Sequence, residues 1–109
     1  MVMKLLESEI QNAVCQYLEL KHYFFWRQNT APTVTKENGQ MRFRRLSKYS
    51  VRGVPDIILI KNGKFVGLEV KRDGTYQSSY QKEFEKRCVE HGAEYHVVRS
   101  VDDVVSVGL

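Results

Sequence analysis

The chain is short of everything that staples a fold or anchors it in a bilayer. It has 2 cysteines in 109 residues, and Cys15 and Cys88 stand in helical-looking stretches without the spacing of a zinc site or a disulfide framework. Buried free thiols are the expected state. No apolar run approaches the ~18–20 residues that span a bilayer, and Met-Val-Met-Lys-Leu-Leu-Glu-Ser-Glu at the start lacks the apolar segment and small-residue cleavage site of a secretory signal. Membrane and secreted classes are set aside, and a reducing, cytoplasmic setting is expected. With 2 prolines, 7 glycines, no repeat and no low-complexity stretch, nothing marks an internal boundary. The 42% apolar content suffices for a single core, so one domain over residues 1–109 is expected.

Excess charge is also modest, at +4 overall with a pI of about 9.1, but it is unevenly placed. Lys36, Arg42, Arg44, Arg45, Lys48 and Arg52 are opposed by the single acid Glu37, so residues 36–52 carry a net +5 by themselves. A basic stretch on a balanced body suits a polyanion contact, with a solvated basic loop as the plainer alternative.

Apolar residues at Ile10, Val14, Tyr17 and Leu18 recur at helical spacing between Leu6 and Leu20. Tyr23 to Arg27 is short and aromatic, which favours a strand. Residues 28–53 show no persistent period and read as a long loop, of a length that compact domains keep for function or motion. Asp56 to Lys61 and Lys64 to Lys71 are apolar runs joined by Asn62-Gly63, the strongest short-range hairpin signal. Gln81, Phe84, Cys88 and Val89 then follow a helical stripe that stops at Gly92, a last strand runs from Glu94 to Arg99, and a short helical tail covers Val101 to Val107.

In a two-residue hairpin centred on Asn62-Gly63, Asp56 falls opposite Glu69, with Cβ atoms about 4.5–5.5 Å apart. Lys71, two residues beyond Glu69, points to the same face. Opposed carboxylates repel unless something neutralises them, so a surface salt-bridge cluster is a poor account of the trio. Phosphodiester hydrolysis needs these groups for separate reasons. Oxygen ligands hold Mg²⁺ or Mn²⁺, the cation neutralises charge developing on phosphate and makes bound water more acidic, and an ammonium orients that water or steadies the oxyanion.

Gly53-Val54-Pro55-Asp56 followed across a hairpin by Glu69-Val70-Lys71 resembles the signature of PD-(D/E)xK nucleases. Glu7-Ser-Glu-Ile-Gln11, Arg27-Gln28-Asn29, Glu69-Val70-Lys71-Arg72, Gln81 and Val98-Arg99-Ser100 narrow the resemblance to the stand-alone bacterial or phage VRR-NUC domain, across nearly the whole chain. Ser100 departs from that family's second arginine. The resemblance implies an α/β fold with the restriction-endonuclease-like order αβββαβ and a central mixed sheet flanked by helices. It implies Asp56 and Glu69 as metal ligands, the Val70 carbonyl as a further one, Lys71 as the catalytic lysine and Gln81 as a residue lining the site. A glutamate of the first helix completes such sites, and the helical stripe selects Glu7 over Glu9 for that place. A helix N-terminal acid favoured by the dipole is the plainer reading of Glu7.

Gln81 reads equally as a glutamine capping a backbone group, Arg99 as a structural anchor, and Arg27 with Asn29 as a polar cluster at a strand end. Otherwise Arg27, Asn29, Arg42, Arg44, Arg45, Lys48, Arg52 and Arg99 are the candidates for DNA contact. Of the aromatics from Tyr23 to Trp26, alternation sends two into the interior and leaves base stacking open for the others. The expected function is a Mg²⁺- or Mn²⁺-dependent endonuclease acting on branched DNA, similar to Holliday-junction resolvases and working as a homodimer without a nucleotide cofactor. Flap or nicking activity, or a non-catalytic DNA-binding module, are the alternatives.

Overall fold

The computed structural model describes residues 5–28, 34–37, 40–43 and 48–109, the two short segments by their backbone alone. Helix α1 (Glu7–Leu20) buries Ile10, Val14 and Leu18 on one stripe, and Glu9 reaches back to accept the Leu6 N–H at 3.2 Å, closing its first turn. Four strands follow the expected positions: β1 (Phe24–Arg27), β4 (Ile57–Lys61), β5 (Lys64–Val70) and β6 (Glu94–Val98). They form one sheet in the order β1-β4-β5-β6, antiparallel except for the parallel β5–β6 pair, so the sheet is mixed as expected. Helices α2 (Ser79–Glu90) and α3 (Val101–Ser106) complete the chain. Among the described residues no helix is long and apolar enough to cross a membrane.

The region expected as a loop over 28–53 departs from that reading. It contains an antiparallel ribbon, β2 (Val34–Glu37) paired with β3 (Gln40–Phe43). Strands of four residues are too short to show a period, which is why alternation did not reveal them. The available signal was Asn38-Gly39, the same dipeptide that marks the main hairpin.

The β4–β5 hairpin turns at Asn62 (φ 53°) and Gly63 (φ 76°), both left-handed as this turn requires. The two faces of the sheet then separate by alternation. Ile57, Leu59, Val66, Leu68, Val70 and Val98 pack with the α1 stripe and Val104 of α3. The opposite face carries Trp26, Ile58, Gly67 and Tyr95 in one cross-strand row, and Phe24, Ile60 and Phe65 in the next. Helix α2 lies over the β6 side of that second face, with Phe84 against Phe65 and Tyr95 at ring separations of 6.5 and 6.1 Å.

Candidate active site

The register of β4 and β5 pairs Ile57 with Leu68, and one step further places Asp56 opposite Glu69, as the turn chemistry anticipates. Both stand on the α2 side of the sheet, at the end where β4 begins. Asp56 Oδ2 accepts the Val70 N–H at 2.8 Å, and its carbonyl accepts the Gln28 N–H at 2.8 Å, tying the ends of β1, β4 and β5 together.

Glu69 is 2% exposed, the one charged side chain in the buried set among the described residues. Its Oε1 accepts from Gln81 Nε2 at 2.8 Å and its Oε2 from the Tyr95 hydroxyl at 3.3 Å. Burial, then the charge of Asp56 and a hydrogen bond with it, push the Glu69 carboxyl up to about 8, while the Lys71 ammonium and the Tyr95 hydroxyl pull the other way. Tyr95 is itself pushed upward by burial and by the Glu69 charge. Near neutrality Glu69 therefore keeps its proton, because burial and the neighbouring Asp56 charge outweigh the pull of Lys71.

Two convergent carboxyl groups with no cation between them are a donor set suited to a hard divalent ion, and the Val70 carbonyl adjoins them in the chain. Glu7 is not gathered into that set: among the described residues no three His, Cys, Asp or Glu side chains lie close enough together to hold a metal. Glu7 instead accepts from Thr75 Oγ1 at 3.3 Å, at the turn that follows β5. Glu9 is occupied in capping its own helix.

Gln81 both caps the start of α2 and reaches Glu69. As the third residue of α2 it donates its N–H to Ser78 Oγ at 3.2 Å, and its Oε1 accepts the Ser78 N–H at 2.8 Å. With Oε1 engaged, Nε2 is the atom left to face Glu69, so the capping box sets the orientation of the amide that holds the Glu69 carboxyl.

Gly53 explains how α2 comes so near. Its φ is +82°, and a Cβ there would lie 2.2 Å from the Tyr80 carbonyl oxygen and 2.8 Å from the Gln81 nitrogen. A Cβ on Gly67 would meet Pro55 Cγ at 2.6 Å, so the buried proline packs across β5 only because residue 67 is glycine. We expect Gly53→Ala to displace the first turn of α2, to lower stability by about 2 kcal/mol or more, and to slow cleavage at least tenfold, roughly, by shifting Gln81. Gly63→Ala, where φ is +76° but nothing lies within 4 Å, should cost only about 1 kcal/mol of backbone strain with cleavage intact. Paired melting curves and cleavage rates of the two variants check this, and equal effects on cleavage would refute the packing role.

The basic candidates that the structure describes are dispersed. Arg27 donates to Asn12 Oδ1 at 3.4 Å and to Gln11 Oε1, because alternation turns it toward α1, on the face opposite the carboxyl pair. Arg99 donates to the Arg72 and Thr75 carbonyls at 2.6 and 2.9 Å and lies over the Tyr76 ring, which anchors the turn after Lys71. Arg52 donates to the Tyr80 hydroxyl at 2.8 Å with its guanidinium over that ring, and Lys48 is exposed beside Tyr49. Arg42 belongs to β3 opposite Thr35, with its side chain outside the description, and Asn29, Arg44 and Arg45 lie outside the described residues. Cys15 and Cys88 are free and partly buried, and burial raises both thiols, which keeps them unreactive. Tyr95 carries no role in the sequence reading, because the parallel register that sets it beside Gly67 leaves no local mark.

No protein-family model matches the sequence, and no curated protein matches it. Solved structures do. One described as "VRR_NUC domain" superposes with a TM-score of 0.62 at 20% identity, over 93% of this chain and 91% of its own. Another, a "VRR_NUC domain protein", gives 0.61 at 23% identity, over 96% and 86%. The chain has the fold that these structures share.

Proposed function

We propose that this chain, with the fold of the VRR_NUC domain structures as the premise, is a metal-dependent endonuclease that cuts branched DNA. The observation that carries the reading is the carboxyl pair of Asp56 and Glu69, with the Lys71 ammonium, just past the end of β5, acting on Glu69. Asp56, Glu69 and the Val70 carbonyl would hold Mg²⁺ or Mn²⁺, and Glu7, which accepts from Thr75 Oγ1, would be a further ligand. When bound, the cation neutralises negative charge that develops on the phosphate.

The chain's own groups do the rest. The Val70 N–H and Gln81 Nε2 fix one oxygen of each carboxyl, so the acids cannot rotate away from each other. Lys71 presents an ammonium beside them to orient the attacking water and to steady the phosphoryl oxygens. Gln81 and Tyr95 are positioning residues that act through Glu69. Basic residues of the 28–53 region, Arg42, Arg44, Arg45, Lys48 and Arg52 among them, would meet the phosphate backbone. Backbone contacts position without reading sequence, so selectivity for structure is expected over selectivity for sequence.

One site per domain makes one cut. A symmetric homodimer supplies the two related cuts that a four-way junction needs. Labelled junction, flap and blunt duplex, each with Mg²⁺, Mn²⁺ or EDTA, separate the possibilities. Paired symmetrical cuts in the junction that EDTA abolishes are expected. Cuts confined to the flap would replace the junction by another branched substrate, and binding without any cut would overturn the nuclease reading.

A further inference from the structure

Two aromatic side chains stand in water where a small domain would ordinarily bury them. Phe24 is 71% exposed and Trp26 38%, and their rings lie 5.6 Å apart, tilted by 48°. Neither belongs to the core: Phe25 between them turns to α1, which leaves both on the opposite face.

That face is the one that carries the carboxyl pair. Pairing of β1 with β4 sets Trp26 beside Ile58 and Phe24 beside Ile60, while Asp56 and Gln28 occupy the next row of the same face. Two residues along a strand are about 7 Å, so the indole stands one row from the acids. Helix α2 covers the other flank of this face, over β6, and among the described elements no helix packs on the β1 flank. The indole N–H is already taken, donating to Gln28 Oε1 at 3.1 Å. What the ring has left to offer is its flat apolar surface.

An occupant must then be flat, apolar on its faces, and delivered next to a site that receives a phosphodiester. We infer that Trp26 and Phe24 form a stacking platform for an unpaired nucleobase of the DNA strand engaged at Asp56 and Glu69. Bases within a duplex are stacked on one another and cannot use it, so the platform favours branched or frayed DNA near the cut. The inference rests on the nuclease reading above and names the part of the substrate that the site would hold.

Trp26 is the chain's one tryptophan, so its emission reports the platform without a label. The protein, held in Ca²⁺, is titrated with a duplex bearing a single-stranded thymidine arm and with the same duplex made blunt. Saturable quenching by the armed DNA alone is expected. Trp26→Ala should weaken binding of the armed DNA about tenfold and leave the blunt duplex unchanged, while Trp26→Phe, which keeps a ring, should stay within about threefold of wild type. Equal quenching by both DNAs, or armed-DNA affinity indifferent to Trp26→Ala, would overturn the platform. So would emission that shifts on dilution without DNA and a Trp26→Ala protein that becomes monomeric, which would assign the face to a second copy of this chain. Cleavage is read on the same samples after Mg²⁺ is added: cutting without quenching sinks the platform alone, and quenching without cutting sinks the nuclease reading alone.

Discussion

Glu69→Gln should cost at least about 10³-fold in cleavage, equivalent to roughly 4 kcal/mol, and should nevertheless raise the melting temperature at pH 8. The two effects have one cause. Glu69 is buried opposite a second acid, and its folded value near 8 lies well above the ordinary 4.5. A carboxyl raised in this way favours the fold fully below about 4.5 and loses that contribution as pH climbs through 8, at up to about 1.4 kcal/mol per pH unit. A neutral amide carries no such penalty. Its oxygen can accept from Gln81 or Tyr95 while its NH₂ donates to Asp56. For a domain of this size, each kcal/mol recovered moves the melting temperature by about 4–8 °C. Melting curves of both proteins at pH 5 and pH 8 read the effect directly: the gap should be small at pH 5 and exceed about 10 °C at pH 8. A variant less stable than wild type at pH 8 would show that Glu69 is held by partners that more than offset its burial.

Lys71→Ala separates chemistry from binding. The ammonium stands beside Glu69 but is one cation among the many in a chain of 17 lysines and arginines. Its removal should lower single-turnover cleavage by about 10²–10³-fold, the usual effect of losing one group that stabilises developing charge. Affinity for the same DNA should stay within a few-fold, because phosphate contacts elsewhere dominate binding. Lys71→Arg should restore binding fully and cleavage only in part, since a planar fork does not reproduce a compact point charge. Equal loss of cleavage and binding in Lys71→Ala would count against the assigned role.

How much of this was legible beforehand follows the range of the interactions. The β4–β5 register, and with it the apposition of Asp56 and Glu69, came from a two-residue turn whose geometry is local. The end of α2 was legible for the same reason, since Gly92 takes a left-handed φ of +81° just past it, whereas Ser78, the cap that begins α2, was not singled out. Alternation correctly divided Tyr23 to Trp26 between interior and surface. Interactions between distant segments left weaker traces. Gly53 looked like part of a motif, and only the packing of α2 shows that its missing side chain makes room for the Tyr80 carbonyl. Arg27 was a candidate for DNA contact, yet strand parity turns it to Gln11 and Asn12. Glu7 sits on the expected stripe, but a helical stripe says nothing of how far along the axis a partner lies, and Thr75 receives it instead. The β2–β3 ribbon was overlooked although Asn38-Gly39 stood in view, because a basic, aperiodic stretch masks a short hairpin.

The claim that the Asp56–Glu69 pair is a metal-dependent cleavage centre meets its most direct test in one assay. Wild type and Asp56→Ala are incubated with the same labelled branched DNA, in Mg²⁺ and in EDTA, and cleavage and binding are measured together. Cutting by wild type in Mg²⁺ alone, with Asp56→Ala still binding but not cutting, is the result predicted here. Cutting that persists in EDTA or in Asp56→Ala would place the chemistry elsewhere and contradict it.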